Sequence, residues 1–267
     1  VHDEELQIEA CHFEGMAQPF PSHFHEYYVI GFVEEGERIL SCKGKKYPIS
    51  RGSVVVFRPG DSHSCVQSNG GTLDYRSFHI GKERMQELTW DVTGRREIPE
   101  FSANVIFDGE IAWYLGTLHK MVMEGVKGFG KEEGLLLLMS ALIRKHGQLL
   151  ASIMPECREE IKLASRFMEE HYGERISLEQ ICRHVGLSKS TLLRAFIKEK
   201  GITPYRYLEN VRINEAKKLL EQGETPALAA AQTGFSDQSH FTGYFNSFMG
   251  LTPGVYREIF CQKERET

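Results

Sequence analysis

Long apolar runs are missing from this chain of 267 residues. The longest, Leu135 to Ile143, is interrupted by Ser140 and stops far short of the ~20 residues that a membrane helix requires. Proline is scarce, with 9 residues, while hydrophobic and charged residues make up 41% and 26%. That balance excludes collagen-like and disordered chains and leaves an ordinary globular protein. Cysteine is present as Cys11, Cys42, Cys65, Cys157, Cys182 and Cys261, but no two form a Cys-x-x-Cys pair. A zinc ribbon and a thioredoxin-type motif are thereby excluded, and reduced, mostly buried thiols are expected. Gly-x-Ser-x-Gly, the Walker loop and a Cys/His pair with nucleophile spacing are absent too. The opening His2-Asp3-Glu4-Glu5 is acidic, the reverse of a secretory leader. The expectation is a soluble, cytoplasmic protein of about two domains with no membrane partner.

The formal net charge of −5 does not suggest a nucleic-acid partner, yet the charge is unevenly placed. Residues 1–154 hold 16 basic and 21 acidic residues, whereas residues 155–267 hold 16 of each. Between Arg183 and Lys218 nine basic residues stand against three acidic ones. A local excess of that kind attracts phosphate even on an acidic chain, although solvated helix faces carry similar charge.

Up to about residue 80 the sequence reads as short strands: Tyr27 to Val33, Arg38 to Cys42, Ser53 to Phe57 and Tyr75 to Ile80. Turn signals separate them at Glu35-Gly36, Lys43-Gly44-Lys45, Arg51-Gly52, Pro59-Gly60 and Asn69-Gly70-Gly71. Regularly spaced short strands with glycine-rich turns predict a sandwich or small barrel. From about residue 108 the period changes. Ile111, Leu115, Leu118 and Val122, then Leu135, Leu138, Met139 and Leu142, predict two amphipathic helices separated by Gly125 to Gly130. Such a pair is either packed core or a dimer seam. Met154-Pro155-Glu156 marks a boundary, after which everything reads as helical.

The C-terminal part repeats itself. Gly186-Leu187-Ser188 recurs as Gly234-Phe235-Ser236, 48 residues on, and Gly201-Ile202-Thr203-Pro204 recurs as Gly250-Leu251-Thr252-Pro253, 49 residues on. In the first copy Leu178, Ile181, Cys182 and Val185 form an apolar stripe, Gly186 takes the turn, and Leu192 and Phe196 continue the stripe. That is a helix-turn-helix layout. Ser188 suits an N-cap, and Lys189, Ser190, Thr191, Arg194 and Lys198 fall on the outer face of the second helix. Hydroxyls and an arginine there reach base edges, and lysines further on reach phosphate.

The stretch Ile176 to Arg257 carries Gly186-Leu187-Ser188-Lys189-Ser190, Gly201-Ile202-Thr203-Pro204, Arg212-Ile213, Gly234-Phe235-Ser236-Asp237-Gln238-Ser239-His240-Phe241 and Gly250-Leu251-Thr252-Pro253. On these motifs it resembles the DNA-binding domain of the AraC/XylS family of bacterial transcription regulators. The resemblance implies two helix-turn-helix units, about 176–199 and 225–248, bridged by a long helix from Tyr205 to Leu220. Their reading helices would enter successive major grooves, one turn of about 34 Å apart. In the second unit Asp237, Gln238, Ser239, His240 and Thr242 would face DNA. That unit departs from the family pattern: Pro226 and Ala229 stand where the first has Leu178 and Ile181, so its supporting helix is expected to begin late and bury less. Gly243 replaces a common arginine and Asn246 a frequent lysine. From Leu219 to Glu258 one basic residue, Arg257, stands against four acidic ones, so the first unit is expected to supply most of the affinity.

Near the N-terminus, Pro21-Ser22-His23-Phe24-His25-Glu26 leads into the first strand, and alternation puts His23, His25, Tyr27 and Val29 on one face. Two histidines so placed suit a metal pair. Gly52 and Pro59-Gly60-Asp61-Ser62-His63 resemble the second motif of the cupin barrel, whose closing histidine faces the same cavity. The resemblance implies a small β-barrel sensor domain. Metal-binding cupins place a glutamate four or five residues after the second histidine, where this chain has Val29 and Ile30. Three readings stay open: a metal on His23, His25 and His63, with His79 a fourth ligand only if its strand faces inward; an effector pocket of His23, His25, Tyr27, Arg38, His63 and Phe78; or a structural remnant. Arg38 would suit an anionic group.

The expected architecture is an α+β multidomain protein: a cupin-like effector-sensing barrel (1–100), a helical linker and dimerisation segment (101–154), and an all-α DNA-binding domain (155–267). The expected function is that of an effector-responsive regulator, on precedent an activator. Its partners would be double-stranded promoter DNA, a small-molecule effector, a second copy of the chain and, for an activator, RNA polymerase. Two alternatives are a cupin metalloenzyme of dioxygenase or isomerase type carrying a DNA-binding tail, and a scaffold with vestigial helix-turn-helix units.

Overall fold

A computed structural model describes residues 1–68, 70–147 and 157–263, with backbone only for 261–263. The expected turn at Asn69 and the Met154-Pro155-Glu156 boundary lie outside the described residues. The chain divides into two compact units, Val1–Val126 with Gly130–Met154, and Lys127–Phe129 with Pro155–Thr267.

The first unit is built on two sheets. Six strands, β1 (His2–Asp3), β2 (Ile8–Met16), β4 (Tyr28–Glu35), β7 (Val54–Phe57), β9 (Leu73–Ile80) and β10 (Val105–Ile106), pair in the order β1-β2-β9-β4-β7-β10. Four more, β3 (Phe20–His23), β5 (Arg38–Cys42), β6 (Lys45–Ile49) and β8 (His63–Gln67), pair as β3-β8-β5-β6. The sheets share one core: Val29, Val33, Val55 and Phe57 of the first pack with Leu40, Cys42, Ile49 and Cys65 of the second. Alternation along each strand sends those residues inward. It sends Ile30 and Phe78 to the opposite face, where they are also buried.

Helix α2 (Gly109–Met123), capped by Asp108, covers that opposite face. Its His119 lies 5.5 Å from Phe78, ring to ring, and its Nε2 bonds the Cys11 carbonyl of β2 at 2.9 Å. Helix α3 (Gly130–His146) packs on α2 and on α1 (Lys82–Thr93), burying Leu135, Leu136, Leu138, Met139, Leu142 and Ile143. The helical pair therefore belongs to the first unit, and its leucine stripe is core rather than a free seam. At the start of α3 the buried Lys131 meets Asp3 at 2.5 Å, tying the N-terminus down.

The second unit holds α4 (Arg158–Glu170), α5 (Leu178–Val185), α6 (Lys189–Lys200), α7 (Pro204–Glu221), α8 (Pro226–Gln232), α9 (Gln238–Met249) and α10 (Pro253–Lys263). The repeated Gly-x-Thr-Pro motif acquires a mechanical meaning here. Gly201 and Gly250 end α6 and α9 in the left-handed region at φ +73°, where a side chain would be strained. Thr203 and Thr252 then start α7 and α10: each hydroxyl accepts a backbone N–H, from Arg206 and Val255, and a proline occupies the first turn.

The second repeat differs from expectation. Helix α8 begins at Pro226, 48 residues after Leu178 and so in register with α5, because proline is well tolerated at the first helical position behind the Thr225 cap. It does not begin late. It does bury less, offering Ala229 and Ala230 against Leu178, Ile181, Cys182 and Val185. Phe235, Phe241, Phe245 and Tyr256 fill the remaining volume around Ile213, Ala216 and Leu220 of α7.

Candidate nucleic-acid interface and effector cavity

In the first helix-turn-helix, a capping box of Ser177 and Gln180 starts α5, and Gly186 at φ +69° turns the chain. Ser188 starts α6 by accepting the Thr191 N–H at 3.3 Å, and its hydroxyl donates to Thr191 Oγ1 at 2.9 Å. Leu192, Leu193, Ala195 and Phe196 are buried, which leaves Ser188, Lys189, Thr191, Arg194 and Lys198 wholly or partly exposed. Arg194 is positioned by its Nε, which donates to the Ser190 carbonyl at 3.1 Å. Ser190 itself is only 4% exposed. The expectation that its hydroxyl reads DNA is corrected: at this helical phase it points into the core.

The basic excess from Arg183 to Lys218 is partly structural. Arg212 donates from Nε to the Tyr172 carbonyl at 2.8 Å and from Nη2 to the Glu174 carbonyl at 2.9 Å. Arg206 bridges Glu209 at 3.2 Å and the Tyr244 hydroxyl at 3.0 Å. Arg183 and Lys218 pair with Glu179 and Glu215. Lys198 and Lys200 stay exposed on the last turn of α6.

In the second unit Asp237 caps α9, accepting the His240 N–H at 2.7 Å, and that bond holds its carboxyl below the ordinary range. Its carboxylate thus orders the helix and stays exposed at the start of α9. Gln238 and Ser239 are exposed, His240 and Thr242 half-buried. Burial lowers the His240 pKa, and its ring stacks edge-on to Phe235 at 5.8 Å. Arg257, the one basic residue from Leu219 to Glu258, bonds the Gly223 carbonyl at 2.8 Å.

Between the two sheets of the first unit lies a cavity of about 120 Å³. Apolar wall comes from Phe13, Phe20, Val29, Leu40, Ile49 and Phe57, while His23, His25, His63 and His79 line it with polar atoms. His23 and His63 are cross-strand partners on β3 and β8. Their rings are 4.4 Å apart, with His25 at 4.9 Å and 5.2 Å from them. Burial, then repulsion from its three neighbours, pushes the His25 pKa down to about 4, and burial lowers His63 as well. His79 does face inward, and Glu9, its cross-strand neighbour, pairs with it at 3.0 Å.

Three expected pocket residues sit elsewhere. Tyr27 is stacked between His25 and His79, at 5.0 and 4.7 Å, beside the wall. Phe78 is on the outer face because it alternates with Ser77 and His79, which line the cavity. Arg38, 1% exposed, donates from Nη1 to the carbonyls of Glu37 and Gly71 and from Nη2 to that of Met16, while its buried Nε has no hydrogen-bond partner among the described residues. Tyr75 was not anticipated. Its trace in the sequence is Gly31, an isolated strand glycine whose Cβ would overlap the Tyr75 hydroxyl.

A ligand-sized cavity in one unit and paired helix-turn-helix motifs in the other define a ligand-binding transcription regulator. The AraC-like ligand binding domain family matches residues 6–139, and a helix-turn-helix domain family matches residues 181–259. YbfI of Bacillus subtilis, an uncharacterized HTH-type transcriptional regulator, is 46% identical over 89% of this chain and 87% of its own length. The HTH-type transcriptional activator RhaS of Escherichia fergusonii is 27% identical over 90% of this chain and 88% of its own. The crystal structure of ToxT from Vibrio cholerae aligns over 95% of this chain and 98% of its own, at 15% identity and a TM-score of 0.40. The chain belongs to the AraC family of transcription regulators. The named relatives favour that function over the alternative of a metalloenzyme with a DNA-binding tail. Among the described residues, no helix is long and apolar enough to cross a membrane.

Proposed function

We propose that this regulator binds promoter DNA chiefly through α6 and α9, responds to a small effector held in the barrel, and activates transcription as a cytoplasmic homodimer in contact with RNA polymerase. The observation that carries the DNA-binding assignment is the division of α6 into a buried stripe and an outer face of Thr191, Arg194 and Lys198. Arginine there suits a guanine edge, and Lys198 suits phosphate. Gln238, Ser239, His240 and Thr242 are the corresponding contacts of α9. RhaS is a transcriptional activator, and activation comes to this chain by kinship.

The cavity suits a mostly apolar effector with one hydrogen-bonding group turned toward the histidines, since apolar residues dominate its wall. Because the leucines of α3 are buried, dimerisation falls to other surface, and Trp113 of α2, 63% exposed, is the candidate. Selection of bound fragments from a random DNA pool by the full chain, at two salt concentrations and with Arg194→Ala beside it, tests the reading. A motif whose affinity falls with salt and is lost in the variant supports it. Recovery of no motif would remove it.

A further inference from the structure

We propose that His23, His25 and His63 bind a divalent transition-metal ion whose remaining coordination position opens onto the apolar cavity. The three side chains offer ligand atoms that all lie within 4.8 Å of one another. Atoms this close need only small side-chain shifts to share one ion at the 2.0–2.1 Å metal–nitrogen distance typical of histidine ligands.

Protonation sharpens the argument. His23 Nδ1 lies 2.6 Å from the Pro21 carbonyl oxygen, and His63 Nδ1 lies 2.9 Å from that of Asp61. A carbonyl oxygen only accepts, so in both rings Nδ1 carries the proton, and in the neutral form of each ring Nε2 is the nitrogen left to take a metal. An Nδ1–H held by a backbone carbonyl is also how proteins orient metal-ligating histidines. Phe57 fixes the His63 ring further, stacked at 3.7 Å and 9°. Three imidazoles without a carboxylate select zinc, nickel, cobalt or copper over calcium and magnesium. They also leave the ion's double charge uncompensated, which favours an anionic group at the open position.

This deepens the effector-pocket reading, on which its regulatory meaning rests: the ion becomes part of the surface that an effector meets. The test uses the full chain, stripped with a chelator and titrated with Co²⁺ by visible absorption and with Zn²⁺ by calorimetry. One ion per chain is expected at micromolar affinity. His25→Gln, in the link between strands, and His63→Asn should each weaken binding tenfold or more with an unchanged circular dichroism spectrum. Cys11→Ser should leave it intact, which separates this site from the nearby group of Glu9, Cys11 and His79. Azide should shift the cobalt bands. No bound ion, equal affinity in the folded histidine variants, or loss of the ion in Cys11→Ser would overturn the proposal; unshifted bands would overturn its open position. DNA binding assayed on the same preparation separates the two failures: a chain that binds its DNA motif but no ion sinks only this inference.

Discussion

Arg212 and Gly234 meet where the two helix-turn-helix units join. A Cβ on Gly234 would lie 2.9 Å from the Arg212 Nη2 and 2.6 Å from the Tyr172 carbonyl oxygen that the same guanidinium bonds. One residue of the bridging helix thus fixes the loop after α4 against the turn of the second unit. Gly186, the equivalent turn in the first unit, has open space around it. Gly186→Ala should therefore cost only the left-handed backbone penalty, ~1–2 kcal/mol. Gly234→Ala should add an overpacking cost of ~1–3 kcal/mol, and thermal unfolding of the two variants measures the difference.

The Asp3–Lys131 pair predicts a second asymmetry. Burial works against the Asp3 carboxylate, but Lys131 and two backbone N–H groups keep its pKa below the ordinary range. Lys131→Met strands a buried charge and should destabilise the first unit by ~3–5 kcal/mol. Asp3→Asn combined with Lys131→Met should recover part of that loss in denaturant unfolding.

Two histidines predict an acid limit. Burial lowers the pKa of His119, which faces His12, Arg76, Glu34 and the Cys11 carbonyl, and that of His240, beside Asp237 and Arg212. Each takes up its proton more readily when unfolded, with an ordinary value of 6.5. Stability should be unaffected by them above that pH and should fall as pH drops below it toward the folded values. His119→Gln, which keeps a donor for the Cys11 carbonyl, should flatten the decline in the first unit when melting temperature is followed against pH.

Trp113 predicts the oligomeric state. If its exposed ring forms the contact between copies, Trp113→Lys should shift the full chain from dimer to monomer in sedimentation equilibrium. A dimer that survives the change places the seam elsewhere.

Much of the second unit was legible because its signals are local. The Gly-x-Thr-Pro repeats are a helix stop followed by a cap and a first-turn proline, and each keeps that meaning in the structure. The aromatic core of the second copy was not legible, since Phe241, Phe245 and Tyr256 replace aliphatic volume that the repeat led one to seek in α8. Helix α1 escaped notice because its buried face includes Thr89 while Trp90 points outward, which blurs the apolar period. In the barrel, alternation pointed to His23 and His25, and His63 came from the resemblance to the second cupin motif. The bonds of Arg38 to the carbonyls of Met16 and Gly71 were not legible, because sequence spacing carries no trace of partners so far along the chain.

DNA is expected to be read by two unequal helix-turn-helix units, the first contributing most of the affinity. Hydroxyl-radical footprinting of the full chain on its selected site, with Arg194→Ala and Gln238→Ala in parallel, tests it most directly. Two protected patches about one helical turn apart are expected, the stronger lost in Arg194→Ala and the weaker alone fading in Gln238→Ala. Equal protection of both patches, with equal losses in the two variants, would contradict it.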